Sequence, residues 1–370
     1  MIKVVHITSI HSRYDTRIFL KECASLASYG HSVSLIVADE KNDELRNGVN
    51  IYDIGKPKGR LDRVINISRR IFKKAIEIDA DIYHLHDPEL IPIGLKLKKH
   101  GKKVIFDAHE DLPNQILSKH YINPSLRKPL SVLVSILEKQ VCSRLDAIVA
   151  ATPVIRDKFL KIHKNTVDIN NYPKLDEFKN FQLEDKLKEQ VCYIGGISNS
   201  RGIVEVARAL ELTKNKASLK LAGSFIDTSL EPKIKSMAGW NNIDYLGFVN
   251  REDIKKILSE SIAGLVTLHP TPSYIDSLPV KMFEYMGAGI PVIASDFPLW
   301  KSIIEEAKCG ICVDPLDPYK IADSIDYLID NPIEALRMGE NGIKAVKEIY
   351  NWTSEERKLL QLYDNLLGSE

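Results

Sequence analysis

The chain opens with a strand, a helix and a second strand, and this alternation limits the folds open to it. Apolar and β-branched residues over Lys3–Thr8 predict the first strand, and the run 33–38 predicts the second. Between them, Asp15 is expected to cap an amphipathic helix that closes at Gly30. A β-α-β opening of this kind indicates an α/β protein with a Rossmann-like sheet.

The length of the chain predicts two such domains. It has 370 residues, whereas a single hydrophobic core stops growing at roughly 250 to 300. The strand and helix pattern is lost over 174–189, where the sequence becomes charged. We therefore expect an N-terminal domain over 1–173 and a C-terminal domain over 174–351.

The stretch Tyr274–Asp296 has the features of a helix followed at once by a buried strand. Ser277 is expected to cap this helix, with Pro279 in its first turn, and Gly287 and Gly289 mark its end. Unpaired N–H groups at such a helix start attract an anion.

Charged side chains around this helix favour a phosphorylated ligand. Lys281 lies in the first turn and adds a positive charge, while Asp276 and Glu284 supply carboxylates for ligand hydroxyls. The alternative is an ordinary helix with a solvated lysine and glutamate.

The pattern SLPVKMFEYM with FEYMGAGIPVIASD resembles the signature of glycosyltransferase family 4. The resemblance implies retaining nucleotide-sugar transferases of the GT-B fold, with two Rossmann-like domains facing across a cleft. In that family two glutamates bracket the donor; Glu284 matches the second, and Asp276 stands where the first is expected. The resemblance also implies that the last helix, 352–370, crosses back to the first domain.

A second part of the expected donor site lies in VCYIGGISNSRGIVEVARAL. Its glycine turn, Gly195 and Gly196, matches neither a P-loop nor a dinucleotide-binding spacing. It is similar to a family turn whose two cations hold the donor diphosphate: Arg201 falls on the second cation, and Gly196 replaces the first. Lys281 is expected to compensate. The resemblance further implies that main-chain groups of Val249 read the base.

The loop after the first strand lacks G-x-G-x-x-G, which disfavours a nicotinamide or flavin enzyme. In the family this loop faces the cleft, so Asp15 and Arg17 are acceptor-side candidates; a capping aspartate and a solvated arginine are the alternatives. His109 follows a predicted strand, and ligands in open α/β sheets bind beyond the carboxyl ends of strands. The family implies a functional histidine there, against the alternative of a structural one.

Other polar clusters are interpreted as structural. His84, His86 and Asp87 end one predicted strand, and their alternating directions favour hydrogen bonding and capping over metal ligation. Cys309 and Cys312 form a C-x-x-C without a second pair, so both are expected to be packing residues.

Charge and hydropathy bear on the partners and the location. The chain has 51 basic and 50 acidic residues, which argues against a general attraction to nucleic acid. A helix over Leu61–Ile78 has a basic and apolar face suited to anionic lipid, and Lys96–Lys103 adds five lysines. The N-terminus resembles a strand rather than a signal peptide, so we expect a cytoplasmic protein, peripheral at the inner face of the membrane.

The sequence thus predicts a retaining glycosyltransferase that moves a sugar from a uridine diphosphate donor to an acceptor hydroxyl, on a lipid-linked or cell-surface polysaccharide intermediate. No metal or other cofactor is expected. The expected catalytic residues are His109, Asp276 and Glu284, and the donor-binding residues also include Gly195, Gly196, Arg201, Val249, Ser277, Leu278, Pro279 and Lys281. The alternatives are a nucleotide-sugar epimerase on the same fold and a catalytically idle nucleotide-sugar binding protein.

Overall fold

A computed structural model describes residues 1–118, 122–178 and 189–368. The chain divides into two compact units: an N-terminal unit of Met1–Asn171 with Ser354–Glu370, and a C-terminal unit of Tyr172–Thr353. Most of the predicted linker, 174–189, lies outside the described residues. Its described part begins with the 3-10 helix Leu175–Phe178.

The N-terminal unit contains an eight-stranded sheet in the order β3-β4-β2-β1-β5-β6-β7-β8. Its neighbouring strands are parallel except β3 and β4. The strands are β1 (Lys3–Ile7), β2 (Ser32–Val37), β3 (Glu44–Arg46), β4 (Val49–Asp53), β5 (Ile82–Leu85), β6 (Lys103–Ala108), β7 (Ala147–Ala150) and β8 (Thr166–Asp168).

Helices follow most strands of this sheet, as parallel connections require. They are α1 (Ala24–Ser28), α2 (Arg60–Asp62), α3 (Ser68–Ile78), α4 (Ile91–Lys99), α5 (Leu112–Ser118), α6 (Pro124–Cys142) and α7 (Pro153–Leu160). The helix expected after Asp15 begins as a π-helix, Ile18–Cys23, and the one expected over 61–78 contains a π-helical turn, Arg63–Ile67.

The C-terminal unit contains a six-stranded parallel sheet in the order β11-β10-β9-β12-β13-β14. Its strands are β9 (Gln190–Ile194), β10 (Ser218–Ala222), β11 (Ile243–Gly247), β12 (Ala263–Val266), β13 (Val292–Ser295) and β14 (Gly310–Val313). The 3-10 helices are Asn199–Arg201 and Ala238–Asn242, and the α-helices are α8 (Ile203–Leu212), α9 (Leu230–Lys235), α10 (Arg251–Glu260), α11 (Pro272–Ile275), α12 (Val280–Gly287), α13 (Pro298–Ala307), α14 (Pro318–Asp330), α15 (Pro332–Glu348) and α16 (Trp352–Leu367).

Both sheets have the burial expected of parallel strands that are covered by helices. Every residue of β5, β7, β9, β12 and β13 is buried, so these strands are mostly apolar on both faces rather than alternating. From Ser354 onward α16 belongs to the N-terminal unit, where the buried Tyr363 contacts His84 of β5. The predicted α/β class with two Rossmann-like domains is confirmed.

Candidate active-site residues

The predicted anion-binding helix, α12, begins at Val280 and is not capped by Ser277. The Ser277 hydroxyl donates to the Tyr274 carbonyl oxygen at 2.9 Å, and the Ser277 carbonyl oxygen accepts from Trp300 Nε1 at 2.6 Å. These contacts hold the turn after α11 and leave the N-cap position to Pro279, which has no side-chain donor or acceptor. The predicted capping role is therefore wrong, and the first N–H groups of α12 are left without a side-chain cap among the described residues.

Lys281, in the first turn of α12, points its ammonium group into the protein. Its Nζ lies 3.5 Å from the centroid of the Tyr193 ring and has no hydrogen-bond partner in the described part of the chain. Burial, and then the nearby charge of Arg201, hold the pKa of Lys281 well below its ordinary value. Burying an amine without a hydrogen-bond partner is unfavourable, so this point is a candidate contact for an anionic group of a ligand.

Arg201 reaches the same region from the 3-10 helix that follows β9. Its Nη1 donates to the Gly196 carbonyl oxygen at 3.3 Å, whereas its buried Nε has no hydrogen-bond partner among the residues described. Although burial disfavours its charge, hydrogen bonding to Tyr274 raises the pKa of Arg201. Arg201 and Lys281, which are 80 positions apart in the sequence, thus come together as predicted.

Two glycines close to Arg201 differ in how strictly their surroundings require glycine. A Cβ on Gly196 would lie 2.9 Å from Ile226 Cδ1 and 3.3 Å from Arg201 Nη1, both of which are the ends of side chains that can move. Gly202 has φ +75°, and a Cβ on it would lie 1.9 Å from the Thr267 carbonyl oxygen. At Gly202 the turn therefore approaches another backbone segment too closely for a side chain.

Glu284, the predicted ribose ligand, is engaged by an arginine that the sequence analysis missed. Glu284 Oε1 accepts from Arg251 Nη1 at 2.9 Å, and Arg251 also forms an ion pair with Glu177. Arg251 begins α10, directly after the Asn250 cap. Nothing local in the sequence links Arg251 to Glu284, because the pairing depends on how α10 and α12 pack.

The other predicted donor residues lie in the C-terminal unit in varied surroundings. Asp276 is exposed directly after α11, while Leu278 and Val249 are partly buried against the apolar core. Gly195 has φ +130°, a backbone conformation that favours glycine.

The guanidinium group of Arg17 is neither exposed to solvent nor available to bind the sugar acceptor. It is 4% exposed, and its Nε and Nη2 donate to the two carboxylate oxygens of Asp107 at 2.9 Å each. Its Nη1 donates to the Ile169 carbonyl oxygen at 2.5 Å. With its donors engaged in this way, Arg17 is a structural residue that fixes Asp107.

Asp15 has the capping role predicted as one alternative. Its Oδ1 accepts from the backbone N–H groups of Arg17 and Ile18 at 2.8 and 2.9 Å. Against the effect of burial, hydrogen bonds from His11 and the backbone lower the pKa of Asp15 to about 2. The carboxylate therefore stays ionised and holds the start of the π-helix.

His109 borders a cavity of about 520 Å³ at the carboxyl end of the sheet. Its Nε2 lies 2.9 Å from Asp107 Oδ2, and its side chain is 21% exposed. His11, which the sequence analysis did not single out, borders the same cavity, with its ring 5.0 Å from that of His109. Its place after the first strand was the only sequence signal for it.

The cavity itself is mostly apolar, which the sequence did not reveal. The apolar residues that line it include Ile10, Ile91, Phe106, Leu112, Val134, Leu137 and Val141. Three of these belong to α6, whose outer face also exposes Leu126, Val132, Leu133 and Ile136 to solvent by 50 to 59% each. An apolar surface thus continues from the cavity onto α6.

The prediction that His84 and His86 point in alternating directions is wrong. Residues two apart in a strand share a face, and their rings stack at 4.7 Å. The expected hydrogen bonding is present, because His84 Nδ1 lies 2.9 Å from the Tyr363 hydroxyl. Asp87 points elsewhere and accepts from the Ser9 backbone N–H at 2.6 Å.

The basic face over Leu61–Ile78 is partly neutralised within its own unit. Arg63 forms an ion pair with Glu89 at 2.7 Å, and Lys74 pairs with Glu77 at 3.1 Å. Leu61 remains 79% exposed. No helix in the described ranges is long and apolar enough to cross a membrane.

Comparisons with known proteins agree with this architecture. The family model described as Glycosyltransferase Family 4 matches residues 16–169, and the one described as Glycosyl transferases group 1 matches residues 175–345. An uncharacterized glycosyltransferase of Methanocaldococcus jannaschii is 24% identical over 364 residues, which cover 91% of this chain and 90% of that protein.

Two solved structures illustrate the shared fold. The sucrose-phosphate synthase of Thermosynechococcus elongatus aligns with a TM-score of 0.79 and 16% identity over 100% of both chains. The Anabaena protein HepE, solved in complex with UDP and glucose, aligns with a TM-score of 0.75 and 13% identity over 99% of this chain and 100% of its own. From its relatives and its family matches, the chain is a glycosyltransferase whose N-terminal part matches the Glycosyltransferase Family 4 model and whose C-terminal part matches the group 1 model.

Proposed function

We propose that this protein transfers a sugar, with retention of configuration, from a uridine diphosphate donor to an acceptor hydroxyl. One observation carries the proposal: Lys281 Nζ and Arg201 Nε lie close together and buried, without hydrogen-bond partners in the described chain. The diphosphate of the donor would supply the missing negative charge. Uridine is favoured because HepE, a protein of the same fold, was solved with UDP.

Catalysis of this reaction depends on stabilising the leaving diphosphate. Fixed donors that are aimed at developing negative charge contribute roughly 3 to 4 kcal/mol each. Lys281, Arg201, the free N–H groups at the start of α12 and the backbone of Gly195 and Gly196 would act in this way. With two side-chain cations and a helix start available, the transfer needs no divalent metal ion at the phosphates.

The carboxylates would position the rest of the donor. Glu284 is assigned to the ribose hydroxyls and the exposed Asp276 to the sugar hydroxyls, while main-chain groups at Val249 would read the base. Arg251 Nη1 donates to one carboxylate oxygen of Glu284. When the ribose binds Glu284, Arg251 would either keep its hydrogen bond and hold the carboxylate in place, or be displaced by the ribose.

His109 is assigned to a sugar hydroxyl near the reacting carbon. Asp107 Oδ2, at 2.9 Å from His109 Nε2, would accept a hydrogen bond from that nitrogen and leave Nδ1 as the second ring nitrogen for the substrate. Arg17 keeps Asp107 ionised, because its charge and hydrogen bonds outweigh burial and hold the pKa of Asp107 well below its ordinary value.

The apolar cavity beside His109 supports an acceptor with a lipid part, as in a lipid-linked intermediate of polysaccharide synthesis. The exposed Leu133 and Ile136 of α6 lie on the continuation of this surface. Together with the basic face over Leu61–Ile78, they favour peripheral attachment at an anionic, cytoplasmic membrane surface.

The experiment is to incubate the protein with a panel of nucleotide sugars and analyse the products with and without lipid-phosphate acceptors. We expect UDP and one UDP-sugar to raise the melting temperature, and the sugar to appear on the acceptor. Release of an epimerised nucleotide sugar without acceptor would instead show an epimerase, and binding without any product an idle binding protein.

Variants at the two cations test the assignment of the diphosphate. Arg201→Ala and Lys281→Ala should each lower kcat/KM by about 10²- to 10³-fold. If both act on one diphosphate, the double variant should lose less than the product of the two factors. Lys301→Ala, which changes an exposed lysine of α13, is the matched control. Full activity in Lys281→Ala would contradict the assignment.

A further inference from the structure

Three histidines and a glutamate form a buried cluster in the N-terminal unit. His6 of β1 lies directly opposite His84 of β5, and His86 shares the face of His84. Glu22 reaches this face from the π-helix Ile18–Cys23. The four residues are at most 1% exposed, and one nitrogen or oxygen atom of each lies within 4.8 Å of those of the others.

The outward nitrogens of these rings are held by other side chains. The Tyr363 hydroxyl lies 2.9 Å from His84 Nδ1 and 3.3 Å from His6 Nε2. Asp107 Oδ2 lies 3.2 Å from His86 Nδ1. Each imidazole is therefore fixed in orientation by an oxygen at its outer nitrogen.

The inward atoms face one another, and only two of the four take part in a hydrogen bond among the described residues. His6 Nδ1 and His86 Nε2 are 2.9 Å apart, and Glu22 Oε2 lies 3.8 Å from each of them. Neither Glu22 Oε2 nor His84 Nε2 has a hydrogen-bond partner among the described residues. Two ring nitrogens in hydrogen-bond contact, a third ring nitrogen and a carboxylate oxygen thus surround one point.

We propose that His6, His84, His86 and Glu22 bind one Zn²⁺ ion. Zinc takes four nitrogen, sulfur or oxygen ligands at about 2.0 to 2.2 Å, so that ligand atoms in a tetrahedron stand about 3.3 Å apart. The separations of 2.9 and 3.8 Å among His6, His86 and Glu22 bracket that value, and the His84 nitrogen lies within 4.8 Å of the other three atoms. With four protein ligands the site is closed, as structural zinc sites are.

The surroundings match those of zinc ligands in one further respect. In zinc sites a carboxylate often binds the second ring nitrogen of a histidine ligand and so fixes the orientation of the ring. Asp107 would do this for His86.

The backbone near Glu22 is also unusual. The Glu22 N–H donates to the Arg17 carbonyl oxygen at 2.9 Å, a bond between residues five apart. Such π-helical turns occur frequently at functional sites, because they displace a side chain from its α-helical position. Here the displaced turn carries the glutamate that completes the cluster.

The charges leave one negative group to be balanced. Arg17 forms a bidentate pair with Asp107, and its Nε also lies 3.1 Å from Glu22 Oε1. One guanidinium group thus faces two carboxyl groups, and a further cation or a proton would balance the second. A proton shared among Glu22, His6 and His86 is the competing occupant that the experiment must distinguish from zinc.

The role of this ion would be structural and separate from sugar transfer. It would join β1, β5 and the π-helix, and through His86 it would steady Asp107, the hydrogen-bond partner of His109. The inference does not depend on the proposed donor or acceptor.

The test is the metal content of the full chain after growth with zinc and dialysis against a chelator under native conditions. We expect about one zinc per chain, retained because the ligands are inaccessible and released on unfolding with the chelator. Glu22→Gln and His84→Ala should lower the zinc content at least tenfold. His100→Ala, which changes an exposed histidine, should leave it unchanged.

If the variants fail to fold, the wild-type protein still decides the question. Protein produced with cobalt should show the visible absorption of tetrahedral Co²⁺, and X-ray absorption should show nitrogen and oxygen ligands. A wild-type chain that carries no metal, even after refolding with zinc, overturns the proposal in favour of the shared proton. Equal zinc in Glu22→Gln and His84→Ala overturns the assignment of these ligands.

Discussion

Replacing Lys281 with methionine should separate the stability of the free protein from its affinity for UDP. Methionine keeps the apolar stem but removes an ammonium group that is buried without a hydrogen-bond partner in the described structure. An unsatisfied buried polar group costs about 1 to 3 kcal/mol, whereas the lost cation–π contact with Tyr193 is worth about 0.5 to 2 kcal/mol. Central values leave a net gain of about 1 kcal/mol in the free energy of unfolding.

The same change should weaken UDP binding. A hydrogen bond to a charged group contributes about 1.5 to 3 kcal/mol, which corresponds to a rise in Kd of about 10- to 150-fold. Urea denaturation measures the first effect and titration calorimetry with UDP the second. Uridine, which lacks the diphosphate, should bind Lys281→Met and the wild-type protein alike, and Lys301→Met should change neither quantity.

The pH dependence gives an independent check on Lys281. The pKa of Lys281 is lowered in the folded protein from the ordinary 10.5. At pH values between the folded-state and unfolded-state pKa, the unfolded chain therefore binds more protons than the folded chain. The stability contributed by this group therefore rises with pH across that window. UDP requires the charged lysine, so UDP affinity should fall as pH rises through the lowered pKa.

Calorimetry in buffers of different ionisation enthalpy should accordingly show proton uptake on UDP binding by the wild-type protein and less by Lys281→Met. The reasoning is refuted if Lys281→Met loses stability while it binds UDP as tightly as the wild-type protein, with no change in proton uptake.

Three further predictions follow from other parts of the structure. Chelators added to the native protein should leave the rate of sugar transfer unchanged, and a rate that depends on added magnesium or manganese would contradict the role of Lys281 and Arg201. Ile136→Asp on α6 should reduce co-sedimentation with anionic vesicles, and high salt should reduce it further; unchanged binding would argue against this surface. Gly202→Ala should lower the melting temperature more than Gly101→Ala, because both have φ near +75° but only at Gly202 would a Cβ meet backbone, at 1.9 Å; equal losses would contradict the clash.

Local features of the sequence were enough to predict the fold class and the elements that carry the proposed donor residues. The alternation of strands and helices requires only hydrophobic periodicity, which is a property of neighbouring residues. The helix α12 with its glycine end, the buried strand β13 and the turn that carries Arg201 were likewise visible in short segments.

Predictions from the sequence were wrong at positions where the partner of a side chain is distant in the chain. Ser277 has the residue type of a helix cap, but Trp300 holds it in another turn. Arg17 has the appearance of a surface residue, but Asp107, which is 90 positions away, takes its guanidinium group. No local pattern encodes such pairs.

The tertiary structure alone decided which distant residues meet. Because β1 lies beside β5 in parallel register, His6 is placed opposite His84, and the π-helix then brings Glu22 to the same face. The packing of α10 near α12 likewise pairs Arg251 with Glu284. The sequence specifies the elements through short-range periodicity, whereas strand order and helix packing determine the clusters, because only they fix distances between residues that are far apart in the chain.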